Sequence, residues 1–151
     1  MRDNDGNPVG AARFGTPEAA LEAFTAARVT SGFSTLLGAK PLKWWGGEAE
    51  LVIPLRHELT QHHGYAHGAV VGAAADNACA WAAASVAGDV VTSTYTLQLL
   101  APAKGERLRA QGRVIRAGKR QVSAEAQVWA ESEGAAPKLV ATALALIAPL
   151  S

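Results

Sequence analysis

From Gly68 to Ala87 the chain reads Gly-Ala-Val-Val-Gly-Ala-Ala-Ala-Asp-Asn-Ala-Cys-Ala-Trp-Ala-Ala-Ala-Ser-Val-Ala, and no other segment limits the possible folds so strongly. It lacks strand-like alternation, holds few β-branched residues and many strong helix formers, and is followed by Gly88-Asp89 as a stop. The run predicts one long helix. Because that helix is apolar almost all round, it has to be covered on more than one side, and its alanines and glycines let a sheet approach closely. Its length also matches a membrane span, with Gly68 and Gly72 as a small-xxx-small pair. Ala and Gly are weak membrane formers, however, and Asp76-Asn77 at mid-span would cost several kcal/mol on insertion. The expectation is a buried helix and no membrane partner.

Asp76 is the only Asp or Glu between Glu58 and Asp89. An ionised carboxylate without partners in a dry core costs more than a domain's spare stability, so Asp76 is paired, protonated, or facing a wet cleft where it acts. Just before the helix lies Gln61-His62-His63-Gly64-Tyr65-Ala66-His67-Gly68, polar and turn-prone. Polar loop, buried helix and one acid form the layout of a reactive site.

With 151 residues, 49% hydrophobic and 18% charged, the chain is one globular domain with room for a full core. A net charge of +1 argues against a nucleic-acid partner, and the single Cys79 excludes an intramolecular disulfide, which suits a reducing cytoplasm. The first residues, Met1-Arg2-Asp3-Asn4-Asp5-Gly6, contain no apolar signal core, so no secretory leader is expected.

Thr16-Pro17 marks a helix start, and Ala20, Leu21, Phe24 and Ala27 follow with helical spacing. A strand near Leu36 to Trp44 and another from Glu48 to Leu55 read as a hairpin. After the long helix come four strand-like segments, Val90–Leu100, Arg107–Arg116, Gln121–Ala130 and Lys138–Ala148, joined by short turn-like connectors that predict a meander of antiparallel neighbours. The expected architecture is α+β, an antiparallel sheet wrapped around one long central helix. Residues 1–34 form an N-terminal extension with a short helix, and 35–151 the domain proper.

That element order, with Gln61, His67-Gly68-Ala69 and Asp76 at these spacings, resembles the hotdog-fold acyl-CoA thioesterases of the phenylacetate-pathway (PaaI-like) type. In that family an Asn or Gln precedes by six residues a His-Gly-Gly that opens the central helix, and an acid follows two helical turns after the first Gly. Ala69 departs from the second Gly. Leu99-Leu100-Ala101-Pro102-Ala103 also resembles the family's strand end before its Pro-Ala turn. The resemblance covers about Leu36 to Ala148 and implies hydrolysis of an acyl-CoA, without metal or redox cofactor, by a homodimer or a dimer of dimers. Thr92 matches a place where relatives can carry a Ser or Thr that assists water.

The chemistry of these residues fits such roles. Gly68 at a helix N-terminus offers a backbone N–H and the positive end of the helix dipole to an oxyanion, and Gly permits close approach. Asp76 can attack or activate water, both in its ionised form, while the Gln61 amide can orient water or the carbonyl. His67 supports the loop and Gln61. Gly68 and Asp76, eight residues apart, lie about 12 Å from one another along a helix, too far to serve one carbonyl carbon. If both act, Asp76 meets Gly68 of a second chain.

Seven of the 14 Lys and Arg lie between positions 104 and 120, against one acid, Glu106. Strand alternation places Arg107, Arg109 and Arg113 on one exposed face, where a solvated strand face is the simpler reading. Lys119 and Arg120 at the next turn are the better candidates for coenzyme A phosphates. His63 and His67 have i,i+4 spacing, but Gly64 and the loop keep them off one helix face, so no metal site is expected. Cys79 reads as core filler, and Trp44-Trp45 could line an acyl pocket. Two other activities share this fold: a non-catalytic acyl-CoA-binding module, and a hydratase or dehydratase pairing His62 or His63 with Asp76, which lacks the Pro-rich loop expected of that class.

Overall fold

The computed structural model describes residues 1–28 and 31–150. Its elements in chain order are α1 (Pro17–Arg28), α2 (Gly32–Leu37), β1 (Lys40–Trp45), β2 (Glu48–Pro54), α3 (Gly68–Ala87), β3 (Val90–Leu99), β4 (Arg107–Ala117), β5 (Val122–Glu131) and β6 (Lys138–Pro149), with short 3-10 turns at Gly10–Phe14 and His57–Leu59. One six-stranded antiparallel sheet, in the order β1-β2-β4-β5-β6-β3, curls around α3. This is the hotdog architecture.

Helix α3 spans the run that its composition predicted, and although long and apolar enough to cross a membrane it is mostly wrapped by the sheet. Ala74, Ala75, Ala78, Cys79, Ala82 and Ala83 are fully buried beneath inward residues such as Leu108, Ala110, Ala124, Val128 and Ile147. Small side chains bring strand and helix into backbone contact. A Cβ placed on Gly112 of β4 would stand 2.0 Å from the Ala78 carbonyl oxygen, so only Gly fits at that crossing.

Two expectations need correction. Leu36 lies not in a strand but in α2, a helix of six residues whose N-cap Ser31 makes no side-chain capping bond, so the usual start signal is missing. The last four strands do not form a simple meander either: β3 leaves α3 at the far edge and pairs with β6, while β4 pairs with β2. The connector 100–106 can reach roughly 23 Å when extended. Three inter-strand spacings of about 4.8 Å are well within that. Short length alone therefore did not force β3 against β4.

The N-terminal segment packs on the β1 side of α3. Thr16 Oγ1 caps α1 by accepting from the Ala19 N–H at 3.2 Å. Phe24 of α1 stacks on Trp44 with centroids 4.3 Å apart and meets Trp81 edge-on at 5.1 Å, while Trp44 Nε1 donates to the Trp81 carbonyl at 2.8 Å. Gly10 (φ +66) seats the first turn on α3, since a Cβ there would be 2.5 Å from the Ser85 carbonyl oxygen.

Candidate active site

The first half of the site is the N-terminus of α3. His67 is the N-cap: its Nδ1 accepts from the Ala69 N–H at 2.9 Å, and its carbonyl accepts from Val70 and Val71 at 2.8 and 3.1 Å. Of the first-turn donors, the Gly68 N–H alone finds no acceptor among the described residues. It is a free donor at the positive end of a long helix. His67 thus caps the helix, and its backbone N–H ties the preceding loop by donating to the Leu59 carbonyl at 2.9 Å, while no hydrogen bond joins it to Gln61 among the described residues. The Gln61 side chain closes its own turn, accepting from the His63 N–H, and its backbone N–H reaches the Tyr65 carbonyl at 2.8 Å. His62 and His63 are exposed, with their rings 4.0 Å apart and tilted by 44°, and neither bonds Asp76 among the described residues.

The second half lies two turns further along. Asp76 is half-buried, and its Oδ1 accepts from Thr92 Oγ1 at 2.7 Å. A bulge in β3 between Thr92 and Thr94 sits beside this bond, a usual place for a bulge to re-aim a side chain. Oδ2 accepts no hydrogen bond among the described residues. Both residues line a cleft of about 680 Å³ between the N-terminal segment, α3 and the start of β3. Sequence reasoning brought Asp76 and Thr92 to one site, but it missed this cleft. Its walls include Phe14, Phe24 and Trp81, which carry no motif in the sequence.

Asn77 also lines the cleft, and its Nδ2 is the one buried side-chain nitrogen or oxygen without a hydrogen-bond partner among the described residues. Such an orphan costs about 1–3 kcal/mol, and it stands next to Asp76. Cys79 is fully buried, and its thiol is pushed up to about 12 by desolvation first and then by the charges of Asp76 and Glu125. It is no nucleophile at neutral pH.

The basic cluster divides in two. Arg107 and Arg109 pair with Glu131, Arg109 also with Glu50 at 3.5 Å, and Arg113 pairs with Glu125, so the cationic face expected on β4 is neutralised by acids of its neighbouring strands. Lys119 and Arg120, in the β4–β5 turn, make no ion pair among the described residues. Their turn adjoins Val122, which aligns with Ile147, which in turn aligns with Thr92. Lys119 and Arg120 therefore stand at the Asp76 end of the sheet, and the paired Arg107 and Arg109 at the Gly68 end, where Lys104 is also without an ion pair among the described residues.

With this geometry in place, comparison with known proteins identifies the family. The model of the thioesterase superfamily matches residues 63–136, which hold Gly68, Asp76, Thr92, Lys119 and Arg120. A solved thioesterase-superfamily protein is 31% identical, with 85% of this chain and 96% of that one covered and a TM-score of 0.75. The chain belongs to the thioesterase superfamily. Among other solved structures, a thioesterase family protein from Silicibacter pomeroyi is 29% identical, covering 82% of this chain and 92% of its own, with a TM-score of 0.77. A mutant of the phenylacetic acid degradation protein PaaI from Thermus thermophilus is 29% identical over 78% of this chain and 98% of its own, with a TM-score of 0.68. No curated protein matches the sequence. Within this superfamily, a thioesterase-type hotdog site is the frame for the residues above.

Proposed function

We propose that the protein hydrolyses the thioester of a small aromatic or medium-chain acyl-CoA to the free acid and CoA, in composite sites shared by two chains. The observation that carries this reading is the unsatisfied Gly68 N–H at the start of α3, an oxyanion donor lacking only its oxyanion. Asp76 supplies the base or the nucleophile, and Thr92 holds it in place by donating to Oδ1. In the general-base form Asp76 takes a proton from water, the hydroxyl adds to the carbonyl carbon, the C–S bond breaks, and the thiolate leaves with the proton. Gln61 and His67 shape the donor end, while Lys119 and Arg120 take the CoA phosphates as charge-assisted hydrogen bonds.

Gly68 and Asp76 of one chain remain about 12 Å apart along α3, so the reading requires a second copy. Strand β3 is the edge that can receive it. Thr92 is bonded to Asp76, and a Cβ on Gly68 would lie 3.2 Å from Leu99. An antiparallel β3 pair with Thr92 opposite the partner's Leu99 brings Asp76 to the partner's Gly68, and it centres the twofold axis between Tyr95 and Thr96.

The test is thiol release from a panel of acyl-CoAs spanning short, medium and long straight chains and arylacyl groups. Release from at least one class at enzymatic rates is expected. Tight binding of CoA esters with no release would replace the reading by a binding module, and water addition to a 2-enoyl-CoA would replace it by a hydratase.

A further inference from the structure

We propose that the cleft beside Asp76 is an acyl groove running along α3 toward its C-terminus, sized for a straight acyl chain of about eight to ten carbons. The proposal rests on the thioesterase reading and selects the medium-chain class within it.

Asp76, Ala80 and Ala84 lie on successive turns of α3, and all three line the cleft, so the acid stands at one end of a floor made beyond it of methyl groups. The volume of about 680 Å³ falls within the range of pockets that hold small molecules. One wall comes from Phe24 and Trp81, while the start of β3 adds Val90 and Val91, and apart from the Trp81 indole N–H none of these side chains can hydrogen-bond a chain lying on the alanines. A bulkier residue at position 80 or 84 would fill the groove. Ala leaves it open.

Length follows from helix geometry. From Asp76 to Ala84 the helix rises about 12 Å. An extended chain advances about 1.2 Å per bond, so about ten bonds cover that distance. Past Ala84 the cleft ends among exposed charges, Arg13 on the N-terminal segment and Asp89 after the helix stop. A longer chain would put methylenes against those charges. A small aromatic acyl group would leave the distal half of the groove wet.

The test is the chain-length profile of kcat/KM from butyryl-CoA to palmitoyl-CoA. Burial of each added methylene predicts a rise of roughly fourfold per carbon up to about ten carbons, then a plateau or fall. Ala84→Phe is expected to lower the decanoyl-to-butyryl ratio at least tenfold, with Ala84→Leu a milder change in the same direction should the Phe variant misfold. Leu144→Ser, on the outer face of the sheet, leaves the ratio as it was. A profile flat in chain length, or folded Ala84 variants whose ratio stays within twofold of the parent, would overturn the groove. Should the parent release no thiol from any thioester, the hydrolytic reading fails, and titration with decanoate followed by tryptophan fluorescence decides the groove separately. A saturable change lost in Ala84→Phe upholds it, and no saturable change removes it.

Discussion

The two edges of the sheet are built to different ends. Edge strand β1 has six residues, is bulged between Pro41 and Lys43, carries a Lys43–Glu48 ion pair, and has Trp44 buried under Phe24 of α1. Edge strand β3 has ten residues and exposes Val91 (51%), Tyr95 (42%) and Leu99 (58%), with no strand of the described chain along its outer side. Natural sheets blunt exposed edges with Pro, Lys, bulges or a covering helix. The first edge uses all four devices, whereas the second has only the bulge beside Thr92. The difference teaches that the chain closes one edge by itself and leaves the other uncovered among the described residues, the edge to which the proposed dimer assigns pairing, and it is this open edge that carries Thr92 and borders Asp76.

The largest test of that contrast is complementation. Gly68 is the first helical residue, and His67 before it is extended (φ −60, ψ 139), so Gly68→Pro is compatible with the helix start while deleting the one free donor. Gly68→Pro and Asp76→Asn are each expected to lower kcat by about a hundred- to a thousandfold. Refolding the two variants together should restore about a quarter of the parent activity, because half the dimers are mixed and each mixed dimer has one intact site. No recovery would mean that each chain completes its own site, and β3 would lose its special standing.

Next in size, Tyr95→Asp on the open edge should convert the proposed dimer to monomers in sedimentation and cut thiol release by roughly a hundredfold, since pairing across β3 would bury the new charge without a partner. Leu42→Asp on the closed edge should change neither size nor rate. Equal effects from the two substitutions would erase the distinction between the edges. The smallest expected effect sharpens it: Lys119→Ala and Arg120→Ala should raise KM for CoA esters about tenfold at low salt, with the difference shrinking as salt screens the phosphates. Arg107→Ala, whose guanidinium is already held by Glu131, should leave KM unchanged.

Much of this was readable from the chain because its strongest signals are local. The limits of α3 follow from composition and Gly88, and β5 shows its inner face as Val122, Ala124, Ala126 and Val128 at period two. What failed to show depends on distant partners. The glutamates that neutralise Arg107, Arg109 and Arg113 lie on β2 and β5, brought alongside by strand register that no local pattern encodes. Helix α2 stayed hidden because six residues without a capping side chain give little periodicity. The N-terminal segment looked like a mere extension, yet Arg13, Phe14 and Phe24 wall the cleft at Asp76.

By itself the sequence determined that one apolar helix had to be wrapped by a sheet, and it narrowed the lone acid on that helix to being paired, protonated or facing a wet cleft, because burial and desolvation costs are set by residue type. Tertiary structure decided which strand became the open edge, that Thr92 rather than a histidine meets Asp76, and which cations remain unpaired. Those outcomes rest on strand pairing between segments far apart in the chain, where register and curvature choose the neighbours.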